Sequence, residues 1–294
     1  MQRSDFSIRI RNLGISLAIF VALALYVSTF AEPVLRVSLV PDESPSVLRR
    51  KLKPLTDYLE KKIGLKMEFR PMPDSDALVE ALVSNKLDLV WLDGFSFVQA
   101  KTRSNNQVIP LVQRAEDATT QSVIITAQDD ITGLADLKGR TFTFGSESSA
   151  SGHLMPRAFL LAAHINPDTD MKLIFSGKPE ATVAAVASGQ ADAGVLSRSS
   201  WEKLVEQGKV DPKAVHVFYT TPGYNDYCWA VRADMDANLR QKLSAAFLAL
   251  DRNNGLDNEI LELQRAGKFI PAKAESYSAI EAAARSAGFL HISQ

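Results

Sequence analysis

Cysteine is nearly absent from this chain. The single one, Cys228, excludes a disulfide within the chain and every cysteine-rich metal site. Histidine is scarce as well: His153, His164, His216 and His291 stand far apart, without ligand spacing such as H-x-x-x-H, so no metal centre is expected. Neither sign of charge dominates. With 33 basic and 34 acidic residues the formal net charge is −1, and no basic field exists to hold nucleic acid by its phosphates. An anion bound by such a chain must be bound by local geometry. No G-x-S-x-G elbow occurs either, which removes the usual signature of an α/β serine hydrolase. What is present is 294 residues, enough for two domains, with 46% hydrophobic content, which excludes disorder as the main state.

The first 31 residues differ in kind from the rest. Arg3, Arg9 and Arg11 precede an apolar run from Leu13 to Val27, and Ser28-Thr29-Phe30-Ala31 offers small residues before Glu32-Pro33. That layout predicts a secretory signal peptide over 1–31, cleaved after Ala31. An uncleaved membrane anchor is the alternative, because no charge interrupts 12–31. Either way the remainder leaves the cytoplasm. No cysteine follows the run to carry a lipid anchor.

From Val34 onward strand-like and helix-like stretches alternate. Val34 to Val40 alternates at period two, and Leu48, Leu52, Leu55, Leu59 and Ile63 recur at helical spacing, with Pro54 kinking that helix or lying in its first turn. Further strands are expected at 66–71, 87–91, 108–113 and 122–127, with helices at 76–84 and 95–103. The pattern then restarts, with strands at 141–144, 172–175, 191–195 and 215–219 and helices at 180–188 and 199–206. One more strand, 227–231, precedes a helical tail from Asp236. Strand and helix in alternation imply an α/β fold with parallel pairs. A tail without its own sheet must pack on one already made. The expectation is therefore two α/β lobes: 32–126 as the first part of lobe 1, 127–221 as lobe 2, and 222–294 as the return crossover and completion of lobe 1. Crossings near 127 and 221 would form a hinge beside the ligand cleft.

The most informative stretch is Thr141 to Ala163, TFTFGSESSASGHLMPRAFLLAA. A short strand runs into small hydroxyl residues and glycine, and an amphipathic helix follows at once. A helix N-terminus leaves N–H groups unpaired and carries about half a positive charge, and Ser148, Ser149 and Ser151 add hydroxyl donors. Alternatively, Ser151 simply N-caps the helix. One cap needs one serine, yet four of the six residues from Ser146 to Ser151 are serine.

In open α/β sheets, ligands sit beyond the carboxyl ends of the strands. Those ends fall here at Asp42-Glu43, Leu92-Asp93, Gly145 to Ser151, Leu196 to Ser199 and Thr220 to Asp226. The candidate ligand-binding set is accordingly Glu43, Trp91, Asp93, Ser148, Ser149, Ala150, Ser151, Gly152, His153, Ser199, Tyr224 and Asp226. Several have plainer readings beside the functional one. Asp93 also suits the cap of the helix near Phe95, and Asp226 the turn Pro-Gly-Tyr-Asn-Asp. Trp91, Tyr224 and Tyr227 suit either a cleft wall or the core, and His153 either the ligand or solvent. Asp226 would accept a hydrogen bond from a protonated oxyanion.

The chain resembles the substrate-binding proteins of phosphonate-type ABC importers from about residue 34 to 290. The stretches that carry the resemblance are L-x-P-L-x-x-Y-L-E-K at Leu52 to Lys61, D-L-V-W at Asp88 to Trp91, and S-A-S-G-H-L-M-P at Ser149 to Pro156. Others are E-A-T-V-A-A-V-A-S-G-Q-A-D at Glu180 to Asp192 and P-x-x-x-D-Y-x-W at Pro222 to Trp229. A branch labelled as selenate importer components shares F-G-S-x-S-S-x-S-G and Y-T-T-P-x-Y-x-D-Y, as at Phe144 to Gly152 and Tyr219 to Tyr227. The resemblance implies a two-lobed, type II periplasmic binding protein. In it Ser149, Ala150 and Ser151 grip oxyanion oxygens, and Asp226 stands where the family has an aspartate near the second crossing. Two binding positions depart from the phosphonate pattern: a threonine is replaced by Ala150, and a histidine by Pro179. Leu92 replaces the aromatic that follows the tryptophan.

The resemblance implies no catalysis and no cofactor. The expected ligand is a small oxyanion such as phosphonate, phosphite, phosphate or selenate, and the expected partners are an inner-membrane ABC permease and its ATPase. The chain is expected to act in the periplasm as a monomer. A sensory domain for another membrane partner would share the fold. A serine hydrolase would draw on Ser149, His153 and Asp226, although spacing gives Ser149 and His153 no clear general-base geometry.

Overall fold

A computed structural model describes residues 34–290. The expected signal segment lies outside the described residues, as does His291. Among the described residues no helix is long and apolar enough to cross a membrane.

The first lobe begins with β1 (Val34–Leu39), α1 (Pro45–Ile63), β2 (Lys66–Phe69), α2 (Ser75–Val83), β3 (Leu89–Leu92), α3 (Gly94–Arg103) and β4 (Val108–Arg114). In α1 the predicted stripe is the buried face, Leu48, Leu52, Leu55, Leu59 and Ile63. Burial of each such side chain contributes about 1.5–3 kcal/mol. Pro45 opens the helix where its missing N–H costs nothing, and Pro54 lies in its interior. The helix stops at Gly64, whose φ of 76° is left-handed and whose N–H returns to the Glu60 carbonyl.

The second lobe comprises β5 (Ser122–Thr126), β6 (Thr141–Phe144), α4 (Met155–Ala162), β7 (Lys172–Phe175), α5 (Pro179–Ala187), β8 (Ala193–Ser197), α6 (Arg198–Glu206) and β9 (His216–Thr220). The chain then re-enters the first lobe as β10 (Cys228–Arg232), α7 (Ala237–Leu248), α8 (Gly255–Leu263), β11 (Phe269–Pro271) and α9 (Ser278–Ser286). The first sheet has six strands in the order β11-β4-β10-β3-β1-β2, and the second five in the order β7-β6-β8-β5-β9. Parallel pairs, β1 with β3 and β6 with both β7 and β8, sit beside antiparallel ones made by β10, β11 and β5.

Both sheets are apolar on both faces, so alternate residues enter different cores. Trp229 and Val231 of β10 pack with α1 and α7, while Cys228 and Ala230 pack with Phe97 and Tyr277. Likewise Val123 and Ile125 of β5 face Trp201 and Leu204, and Ile124 faces Phe142 and Phe144.

Two sequence expectations are corrected. Ser122 to Ala127 was assigned to the end of the first lobe, but β5 pairs with β8 and β9 in the second sheet, so the first crossing lies at 115–121. An antiparallel strand carries no local sign of which sheet it joins. The tail also contains a strand: β11 joins β4 at the sheet edge, and at three residues ending in proline it is too short to show a period.

The two crossings are tied to each other. Thr221 N donates to the Ser122 carbonyl and Ser122 N to Thr221 Oγ1, each at 2.9 Å. Tyr224 N reaches the Thr120 carbonyl and Asp226 N the Asp117 carbonyl, also at 2.9 Å. The region between the lobes is thus a narrow two-stranded ribbon. Ala150, Leu154 and Met155 of the second lobe join the apolar cluster that holds Leu92, Phe95 and Ile280 of the first.

Candidate functional site

Beyond β6 the chain folds back upon its own strand end. Gly145 N donates to the Gly152 carbonyl at 2.8 Å. A Cβ on Gly152 would lie 3.0 Å from Ser149 Oγ and 3.4 Å from Gly145 Cα, so a larger residue would crowd the turn. Ser149, extended at φ −83° and ψ 126°, is the cap, and its Oγ accepts from Gly152 N at 2.9 Å. The alternative reading of Ser151 as the cap does not hold, since Ser149 fills that position. Ala150 to Leu154 then form a π-helical turn in which Leu154 N reaches the Ser149 carbonyl at 3.0 Å, and α4 continues from it. Such wide turns recur at functional sites. Among the described residues the N–H groups of Ala150 and Ser151 have no acceptor, and neither does the Ser149 hydroxyl proton. Donors grouped at a helix N-terminus are the arrangement that favours an anion.

The strand ends of the first lobe and the second crossing are acidic and aromatic. Asp93 follows β3 and caps α3, accepting from Phe95 N and Ser96 N at 3.0 Å and from Ser96 Oγ at 2.6 Å. Its carboxylate is therefore committed to the helix. Gly94 N donates to Asp226 Oδ1 at 3.0 Å, and a Cβ on Gly94 would come within 3.1 Å of the Asp226 carbonyl oxygen. Asp226 is 1% exposed. Burial, and then the Asp93 charge, push its carboxyl up to about 8. The protonated form is therefore favoured at neutral pH in the free protein.

Tyr227 stacks on Trp91, with ring centroids 5.5 Å apart and planes at 14°. The Arg114 guanidinium lies over both rings, 5.0 Å from Trp91 and 5.5 Å from Tyr227. Two bonds of 2.6 and 2.7 Å to Asp117 fix its plane. Burial, followed by the charges of Asp226 and Asp93, raises the Tyr227 phenol well above its usual range.

Tyr224 belongs to the hinge rather than to an open wall. It is buried, packs near Phe159 and places its hydroxyl 2.7 Å from Ser122 Oγ.

The remaining candidates lie outside this neighbourhood or have other partners. His153 is 3% exposed, with Nδ1 at 2.9 Å from the Glu147 carbonyl and its ring edge-on to Phe144, Phe175 and Phe289. Burial lowers its pKa, and the ring supports the turn from behind, so neither the ligand nor the solvent reading describes it. Glu43 is ion-paired with Lys51, which overcomes burial and lowers its pKa. Ser199 is exposed on the first turn of α6, whose cap is Ser197. Ser148 is exposed beside Ser146 Oγ at 3.1 Å. Sequence reasoning missed Arg114, Asp117 and Ser122. Only the x-R-x-x-D spacing of the first two, which suits an i,i+3 ion pair, was available as a signal.

Among the described residues no cluster of His, Cys, Asp and Glu is arranged to hold a metal ion. A cavity of about 390 Å³ in the second lobe is lined mostly by apolar residues such as Val183, Leu204 and Val215, with Glu180, Lys209 and Asp211 among the others, and lacks the donors described above.

Comparison with known proteins identifies the family. Residues 37–277 match the family described as ABC transporter, phosphonate, periplasmic substrate-binding protein. The probable ABC transporter phosphite binding protein PhnD1 of Prochlorococcus marinus is 32% identical over 280 residues, covering 89% of this chain and 94% of that protein. The structure of PhnD1 in complex with methylphosphonate superposes with a TM-score of 0.76, covering 87% of this chain and 99% of that one. The phosphate-import protein PhnD of Mycolicibacterium smegmatis is 26% identical over 242 residues, 77% of this chain and 75% of that protein. The aliphatic sulphonate binding protein SsuA of Escherichia coli, 18% identical with a TM-score of 0.62 over 88% of this chain and 93% of its own, shares the fold. With its two mixed sheets joined by two crossings, and with this family match across most of its length, the chain belongs to the phosphonate-type periplasmic substrate-binding proteins of ABC transporters.

Proposed function

We propose that this protein is the receptor of an ABC importer for a small phosphorus oxyanion of the phosphonate and phosphite class. It would deliver that ion, as a monomer in the periplasm, to an inner-membrane permease and its ATPase. The observation that carries the reading is the pair of N–H groups at Ala150 and Ser151 without acceptors, beside the Ser149 hydroxyl, at the N-terminus of a 13-residue helical segment. These groups donate to the anion oxygens, and Gly152 permits the approach. The methylphosphonate bound by PhnD1 supports this choice of ligand class.

Asp226 sits in the hinge ribbon and brings one proton to the pair it forms with the anion. Whether carboxyl or anion oxygen holds that proton, the pair is stable only with it, because two buried negative charges repel. Trp91 and Tyr227 supply the flat wall for the substituent that is not oxygen, and Asp93 holds α3 in place beside them. Glu43, Ser148 and Ser199 lie at the rim, and His153 braces the turn. Residues 1–31 would act as the export signal.

A hydrolytic reading has less support: Ser149 Oγ accepts from Gly152 N, and His153 Nδ1 meets the Glu147 carbonyl rather than the serine.

The test is thermal unfolding against phosphite, methylphosphonate, phosphate, selenate, selenite and sulfate. An anion at 100 times its dissociation constant adds about 2.7 kcal/mol and raises the midpoint by several degrees. Phosphite or methylphosphonate is expected to give the largest shift and to be recovered unchanged. An absence of shift with all six would remove the oxyanion.

A further inference from the structure

The Ser149 hydroxyl ends a chain of hydrogen bonds that starts in the hinge. We infer that Ser122 and Tyr224 are positioning residues that fix the polarity of this hydroxyl and thereby the affinity for the anion; the inference rests on the serine turn being the oxyanion site.

Ser122 Oγ lies 2.7 Å from the Ser151 carbonyl oxygen and 2.7 Å from Tyr224 Oη. A serine hydroxyl has one proton. The carbonyl can only accept, so the Ser122 proton goes to Ser151 and the Tyr224 phenol donates to Ser122. Burial, and then the nearby Asp226 charge, hold that phenol well above its usual range, so its proton stays in place. The Ser151 carbonyl is one end of the peptide whose other end is the Gly152 N–H, and that N–H donates to Ser149 Oγ at 2.9 Å. Ser149 Oγ is thus occupied as an acceptor, and its own proton is left without an acceptor among the described residues.

Every bond in the series points the same way, from Tyr224 to Ser122, through the Ser151–Gly152 peptide, to Ser149. In such a head-to-tail series each bond polarises the next, and low dielectric strengthens the effect. Ser122 and Tyr224 are 0% and 5% exposed, so water does not compete. The free end is a donor, which is what an anion requires and what a cation or a neutral acceptor-poor ligand does not. The series also joins three segments: the start of β5, the second crossing and the anion turn. A change in the spacing of the crossings therefore reaches the anion donors through two side chains that never touch the ligand.

The test is calorimetric titration of wild type, Ser122→Ala, Tyr224→Phe and the double variant with phosphite and with methylphosphonate. Ser122→Ala is expected to weaken binding about tenfold and Tyr224→Phe about threefold, the scale of one hydrogen bond and of a polarising neighbour. The double variant should bind no more weakly than Ser122→Ala, because in this series Tyr224 reaches the Ser149 hydroxyl through Ser122; the Ser151 hydroxyl beside the phenol lies outside the series. The amide proton of Gly152 should move upfield in each ligand-free variant as its bond to Ser149 weakens, a change that general loosening of the hinge would not confine to one amide. Wild-type binding with unchanged affinity in Ser122→Ala, or single penalties that multiply in the double variant, would overturn the relay alone. Failure of wild type to bind either anion would overturn the oxyanion reading and the relay with it.

Discussion

The two walls of the cleft are built from opposite materials. The second lobe presents backbone N–H groups and serine hydroxyls at a helix start, with no charged side chain making the grip. The first lobe and hinge present Asp226, Asp93 and the Trp91–Tyr227 stack, with Arg114 holding the stack in place. On the function proposed above, the donor wall would accept any small oxyanion, because N–H groups do not distinguish phosphorus from sulfur or selenium. The acidic wall would discriminate, because it would admit an anion only together with a proton. Grip and selection would then reside on different walls and act together only when both touch the ligand.

The comparison breaks most completely at Ser151. Replacement with glutamate places a charge among the donors, and binding of phosphite or methylphosphonate should be lost in calorimetry while circular dichroism stays native. Retained affinity would put the site elsewhere. A smaller effect comes from deleting one donor. Ala150 is the first residue after a cap whose ψ of 126° suits a following proline, so Ala150→Pro removes the N–H without forcing the backbone. Affinity should fall about 10- to 100-fold, the range of a hydrogen bond to a charged group.

The acidic wall is sharpened by Asp226→Asn, which imitates the protonated carboxyl. Wild-type affinity should fall as pH rises above about 8, where the buried carboxyl loses its proton, and the variant should show no such decline. The same group sets the smallest effect, on the ligand-free fold. Its folded pKa lies above the ordinary carboxylate value near 4, so its stabilising contribution is complete below about pH 4 and is lost as pH rises toward 8. Asp226→Asn should therefore unfold at a higher temperature than wild type at pH 8, and the gap should close toward pH 4 in parallel thermal scans.

Much of this architecture is written in local patterns. The leucine stripe of α1, the strand–serine–helix order after Thr141 and the polar strand ends all appear in the sequence, because periodicity and capping are local effects. The sheet membership of β5 and the edge strand β11 are long-range pairings and left no such trace. At the site, the residue types were legible but their assignments were not. Ser149 rather than Ser151 is the cap because Gly152 leaves the turn room to close on Gly145. His153 faces aromatic rings because Glu147 offers its carbonyl behind the turn, and Arg114 reaches the cleft wall from a strand that ends in the first crossing. None of these follows from spacing along the chain.

The most direct test of the account is an amide ¹H–¹⁵N spectrum of the protein titrated with phosphite and methylphosphonate. The resonances of Ala150 and Ser151 should move downfield further than any others as their N–H groups meet a charged acceptor. If the ligand binds while those two amides stay in place and shifts gather elsewhere, the anion is not held by the serine turn.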